Sequence, residues 1–314
     1  MKRRVIKQGH NTLTITLPRK WAIQYNIKAG DELDVSQRNN SLVISNRSME
    51  PKSDSIEFDI SNLDRTSTVI LVQGLYRYGY DTIEIRTKEP FFYHYRIGQN
   101  VAVSKVVHEI VARFIGSEII SSSAKSFTIK KISKESNEEF DAVLRNLFRL
   151  MNDKIEVFLH GLEKSDMNLM ESIEDHHINM KKFINYCLRL LNKFGKGDVR
   201  KTTFYFAIIQ YISKIEDMIK NAARYIVTYK YKIGPKAIEV IKNLQKALTM
   251  YYQLFYDYSL KKVNEIIEFR EQVRKNFLAR IGEFSKAELA ITAGLLQILE
   301  ILLDMTELRM ALEI

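Results

Sequence analysis

The chain has 314 residues, 46% of them hydrophobic, and a net charge of +10, a composition that can bury cores in two or three domains. It contains no run of eighteen or more uncharged apolar residues, and its opening MKRRVIKQGH lacks the apolar centre of a secretion signal, so a cytoplasmic protein with no transmembrane segment is expected. The single cysteine, Cys187, excludes a disulfide or thiolate metal cluster within one chain and, inside an apolar helical pattern, reads as a buried structural thiol.

The first fifty residues carry nine Lys or Arg against four Asp or Glu, half of the whole excess of positive charge. Such a surface suits a polyanion, nucleic acid first, although a membrane face could also use it. Within it Leu13, Ile15 and Leu17 alternate with Thr12, Thr14 and Thr16, the period of a strand with one buried face. Pro18 stops that strand and opens a short helix, RKWAIQYNI, which the turn through Gly30 and Asp31 closes. Two strands follow, ELDVS and SLVIS, separated by a turn at Arg38-Asn39-Asn40. About fifty residues of this kind bury too little surface to stand alone, and an interleaved dimer is the natural remedy.

A polar linker around residues 48–54 leads to a small α/β segment, 54–133. It is expected to hold a strand through Ile56, Phe58 and Ile60, a helix over 63–78, a strand over 82–87, a helix over 101–115 and a hairpin from 118. FFYHYR at 91–96 could stack on bases, but loop packing is the favoured reading.

Residues 137–314 carry a helical pattern broken near 161–165, 195–197, 234–235, 259 and 282–285, which predicts six helices packed as antiparallel neighbours. The break at Gly234-Pro235 divides them into two similar sets of three, 137–230 and 235–314, as in a duplicated unit. On the last helix Glu300 and Asp304 lie one turn apart, so both carboxylates can face one cation, and Asp217 on the pseudo-equivalent helix of the first set could form a second, weaker site; the competing reading is that Glu300 pairs with a nearby Lys or Arg. His176 and His177 point about 100° apart on their helix, so a solvated face is favoured over a shared metal. The aromatic series Tyr251, Tyr252, Phe255, Tyr256 and Tyr258 reads as bundle core and rim. No nucleophile, base and orienting group converge, so no enzyme is expected.

Two resemblances cover nearly the whole chain. Gly9-His10-Asn11, LTITLP, Arg19-Lys20-Trp21 and Gly30-Asp31 stand in the order and spacing of the swapped-hairpin domain of AbrB and SpoVT type transcription regulators. That resemblance implies, for residues 1–48, an intertwined homodimer closed as a β barrel that binds double-stranded DNA. Lys2, Arg3, Arg4, Lys7, Arg19 and Lys20 would contact phosphates, and His10 and Asn11 would reach a base edge. ISKIED at 212–217 and LEILLD at 299–304 resemble the ExxxD stretches of the six-helix PhoU bundle, a regulator of phosphate uptake in which that spacing binds metal clusters. The first repeat departs from the pattern, with Ser213 where an acid is expected. The combination is similar to archaeal PhoU homologues fused to an AbrB-like domain.

The expectation is a multidomain α+β protein: a swapped-hairpin barrel, a small α/β domain and an all-α bundle. The resemblance implies a DNA-binding regulator of phosphate homeostasis that works with a transporter ATPase or signalling partner and a divalent metal or iron at Asp217, Glu300 and Asp304. The rival reading is a PhoU-type adaptor that does not bind DNA and restrains a phosphate ABC transporter at the membrane surface.

Overall fold

A computed structural model describes residues 2–9, 11–38, 41–45 and 54–314. The chain divides into two compact units, Met1–Lys52 and Ser53–Ile314. His10, Asn39, Asn40 and linker residues 48–53 lie outside the described residues.

In the first unit β1 (Ile6–Gln8) pairs antiparallel with β2 (Thr12–Thr14), Lys7 opposite Leu13. Helix α1 (Arg19–Gln24) starts after the extended Pro18, and Gly30, at φ +95°, turns the chain toward β3 (Asp34–Arg38), which pairs with β4 (Ser41–Ser45). The Asp31 carboxylate accepts from the Lys28 amide at 2.7 Å across that turn. Among the described residues the two strand pairs do not join, and no closed barrel is shown. The physical reason is visible in exposure: Leu13, Ile15, Val35 and Leu42 remain open, and among the described residues of this unit none is buried.

The second unit begins with a four-stranded sheet of order β5-β6-β10-β9. Strand β5 (Ser55–Asp59) runs parallel to β6 (Thr82–Arg86), and the crossover between them is α2 (Arg65–Tyr78). The Asp64 side chain caps α2 by accepting from the Thr66 and Ser67 amides, and Gly79, at φ +122°, ends it. Strands β7 (Phe91–His94) and β8 (Gln99–Ala102) form a separate hairpin. Two expectations change here. The aromatic run at 91–96 is mostly strand, with Phe92 buried, and the second helix is shorter than 101–115: α3 covers Val103–Val111, because residues 99–102 pair with β7. Strands β9 (Ser117–Ser122) and β10 (Ser126–Lys131) complete the sheet as the expected hairpin.

Six long helices follow: α4 (Phe140–Lys164), α5 (Met167–Phe194), α6 (Val199–Tyr229), α7 (Pro235–Tyr256), α8 (Leu260–Ala279) and α9 (Lys286–Glu313). Side chains of Asp166, Asp198, Ser259 and Ser285 cap four of them, the last in a capping box with Glu288. Neighbouring helices pack as α4 on α5, α5 on α6, α6 on α9, α9 on α7 and α7 on α4, around one continuous apolar core. The aromatic series from α7 lies in and around that core, with Tyr251 fully buried. Cys187 is buried there too, and desolvation pushes its thiol well above the ordinary range, which suits a structural role. By length and composition α9 could cross a membrane, but half of its most apolar stretch is buried inside the fold.

Candidate functional site

The residues expected to contact nucleic acid lie in the first unit. Lys2, Arg3, Arg4, Lys7, Asn11, Arg19 and Lys20 are all exposed. Arg19 and Lys20 occupy the first turn of α1, where cations oppose the helix dipole, and none of the six basic residues is ion-paired with another described residue. His10, expected at a base edge, lies outside the described residues.

The densest polar cluster lies in the bundle, where α4, α5 and α6 meet. Each helix turns an apolar stripe inward, and each stripe is interrupted by charge: Lys154 follows Met151, His177 and Lys181 flank Met180, and Glu216 stands between Ile212 and Ile219. Lys154 and Glu216 have no exposed surface. Lys154 Nζ donates to Glu216 Oε1, and the His177 Nδ1 is 2.7 Å from the same oxygen. A carboxylate only accepts, so the ring proton sits on Nδ1. Lys181 Nζ donates to Ser213 Oγ at 2.8 Å and to Asp217 Oδ2 at 3.0 Å, and stands 3.4 Å from Glu216 Oε2, a buried atom with no hydrogen-bond donor of its own. Lys220 closes on Asp217 Oδ1 at 2.7 Å.

These contacts set the protonation states. Burial pulls the Glu216 carboxyl upward, but the His177 bond and the Lys154 and Lys181 charges outweigh it and leave the group below its ordinary range. Asp217 is likewise held down, by Lys181 and Lys220 against desolvation. Burial lowers His177, only partly opposed by Glu216, so the ring is neutral.

The expectation of a solvated histidine face is therefore wrong for His177. It sits four residues after the buried Ile173 and three before the buried Met180, on the inner stripe of α5, and only His176 of the pair is partly open. Glu216 and Lys154 were missed altogether; the available signal was a charge placed inside an apolar 3.6-residue stripe.

The three metal candidates lie in two places. Asp217 belongs to the cluster just described. Glu300 is gripped by Arg270 and by Arg274, the latter at 3.0 Å, which is the competing ion-pair reading. Asp304 is exposed one turn on, and the Tyr211 phenol is raised above its ordinary range by desolvation and then by the Asp304 charge and hydrogen bond.

Among the described residues His177, Glu216 and Asp217 bring one ligand atom each to within 4.8 Å of one another. Glu216 Oε1 already accepts from Lys154 and His177 and both Asp217 oxygens accept from lysines, and the proton on His177 Nδ1 blocks that nitrogen. Three lysines face two carboxylates, so no net negative charge remains. A divalent ion about 4 Å from one ammonium meets roughly 8 kcal/mol of repulsion at an effective dielectric constant near 20. The residues present do not fit a metal.

Comparison with known proteins adds the following. Residues 6–56 match the family profile described as antidote-toxin recognition MazE, bacterial antitoxin. No curated protein matches the chain. Among solved structures, the phosphate transport system regulatory protein PhoU from Streptococcus pneumoniae is 16% identical, with a TM-score of 0.44, over 56% of this chain and 94% of that one. A PhoU-like protein from Shewanella oneidensis MR-1 is 14% identical, with a TM-score of 0.38, over the same shares of the two chains.

Proposed function

We propose that this chain is a DNA-binding transcriptional regulator of phosphate uptake and homeostasis that works in the cytoplasm as a homodimer. The observation that carries the reading is the first unit: six exposed cations with no ion pair among the described residues, on a segment whose apolar side chains Leu13, Ile15, Val35 and Leu42 are exposed. A second copy covers them, interleaving hairpins into a closed barrel and setting two basic edges side by side. The profile match over 6–56 supports a recognition module in this segment.

The phosphate arm rests on the resemblance of ISKIED and LEILLD, on two sets of three helices, to the PhoU pattern. In this reading the bundle senses phosphate status through a transporter ATPase, a signalling partner or a metal-associated ligand. Whichever binds one arrangement of the bundle more tightly shifts the population of DNA-bound protein.

Titration of full-length protein against duplex genomic DNA over a range of salt concentrations tests the first arm. Affinity is expected to fall log-linearly with salt, and Arg19→Ala or Lys20→Ala is expected to weaken binding and reduce the slope by about one each. Absence of binding at low salt overturns the reading in favour of the membrane-surface adaptor. Genome-wide occupancy in phosphate-rich and phosphate-starved cells tests the second arm, and an occupancy indifferent to phosphate overturns it.

A further inference from the structure

Positions 213 and 217 are one helical turn apart on α6, the spacing at which two side chains share a cation. The group between them is an ammonium. Lys181 reaches across from α5 and touches Ser213 Oγ at 2.8 Å and Asp217 Oδ2 at 3.0 Å, with Glu216 Oε2 at 3.4 Å as a third oxygen. Lys154, from α4, adds a second positive charge on the far oxygen of Glu216. In the other set of helices the matching carboxylate, Glu300 on α9, is held by two guanidinium groups of α8, Arg270 and Arg274.

In both places an acid on the third helix of a set meets a cation from the second, Lys181 on Asp217 and Arg270 with Arg274 on Glu300, while Lys154 of α4 and Lys220 of α6 add to the first. We infer that these protein cations stand permanently where the ExxxD spacing would otherwise hold a metal, so that the bundle is assembled around resident lysine and arginine charges and takes no divalent ion at either place. Ser213 then has a positive reason. The Ser213 hydroxyl accepts from Lys181 and brings no second carboxylate to face Asp217 across one turn, the pairing that would share a metal. The inference does not depend on DNA binding, and of the routes open to the bundle it selects the one through a protein partner over the one through a metal-associated ligand.

Full-length protein produced in medium supplemented with iron, zinc and manganese, and dialysed without chelator, is the material for the test. Elemental analysis is expected to find far less than one metal ion per chain, and the thermal midpoint is expected not to move with EDTA or with added manganese or zinc. Lys181→Met vacates the cation position. Its midpoint is expected to fall, because Asp217 and Glu216 lose an ammonium partner, and still not to rise with added divalent ion, because Lys154 and Lys220 stay in place. Near-stoichiometric metal in the parent, lost in Asp217→Asn or Glu300→Gln and accompanied by a fall in midpoint on chelation, would overturn the inference. Metal that both carboxylate variants retain binds elsewhere and leaves the two places metal-free, as inferred. If Lys181→Met does not fold, the parent and the two carboxylate variants decide the matter.

Discussion

His177 and the two acids it approaches bind protons differently in the folded and unfolded chain, and that difference sets the response to pH. Desolvation lowers His177 below its ordinary 6.5, so the unfolded chain takes up a proton that the fold refuses, and stability begins to fall as pH drops through about 6.5. Glu216 and Asp217 are held below their ordinary 4.5 and 3.8; their contribution is complete above those values and is lost as pH falls through the lower, folded ones. Urea midpoints measured from pH 7.5 to pH 2 are therefore expected to decline in two stages. His177→Gln should flatten the first and Asp217→Asn the second; a midpoint constant across that range would contradict the assignment. Cys187, by contrast, was legible from its neighbours, since an apolar helical pattern on both sides leaves a thiol nowhere to go but the core.

The charge pair of Lys154 and Glu216 ties α4 to α6 from within the apolar core. Breaking a buried pair by removing one partner typically costs about 3–5 kcal/mol, because the other charge stays uncompensated, whereas replacing both by apolar groups is often close to neutral. Lys154→Met is expected to lose stability on that scale in urea denaturation, and Lys154→Met with Glu216→Leu to recover most of it. A double variant as unstable as the single one would show that the helices need the charge and not only the volume. The helices themselves were readable in advance. The breaks expected near 161–165, 195–197, 234–235, 259 and 282–285 mark where the observed long helices meet, although α4 runs on through Gly161 to Lys164 and α7 starts at Pro235, because caps and turn residues act within a few positions of themselves. The α/β segment was read less accurately: β7 and β8 owe their pairing to each other, and two residues expected in a helix, Val101 and Ala102, belong to that hairpin.

At the scale of the whole molecule, Arg189 joins the α/β segment to the bundle. It is fully buried on α5, donates to the Tyr76 and Tyr80 carbonyls at 3.0 and 2.6 Å, and pairs with Asp81 and with Glu135, the latter at 2.6 Å. Arg189→Leu strands two acids in the seam, although Lys193 remains near both. The variant is expected to lose roughly 3 kcal/mol and to unfold in two steps, with the α/β segment released first. A single transition at the parent midpoint would argue that apolar contacts between α2 and α5 hold the seam unaided. By itself the sequence determined where helices and strands run, which faces are apolar and where positive charge gathers, because periodicity, capping and turn chemistry are local. Only the tertiary structure decided what the buried charges do. Lys154 meets Glu216 across 62 positions of chain, His177 meets it across 39 and Arg189 meets Asp81 across 108, and whether an acid faces a metal, a lysine or water depends on which helix packs opposite it.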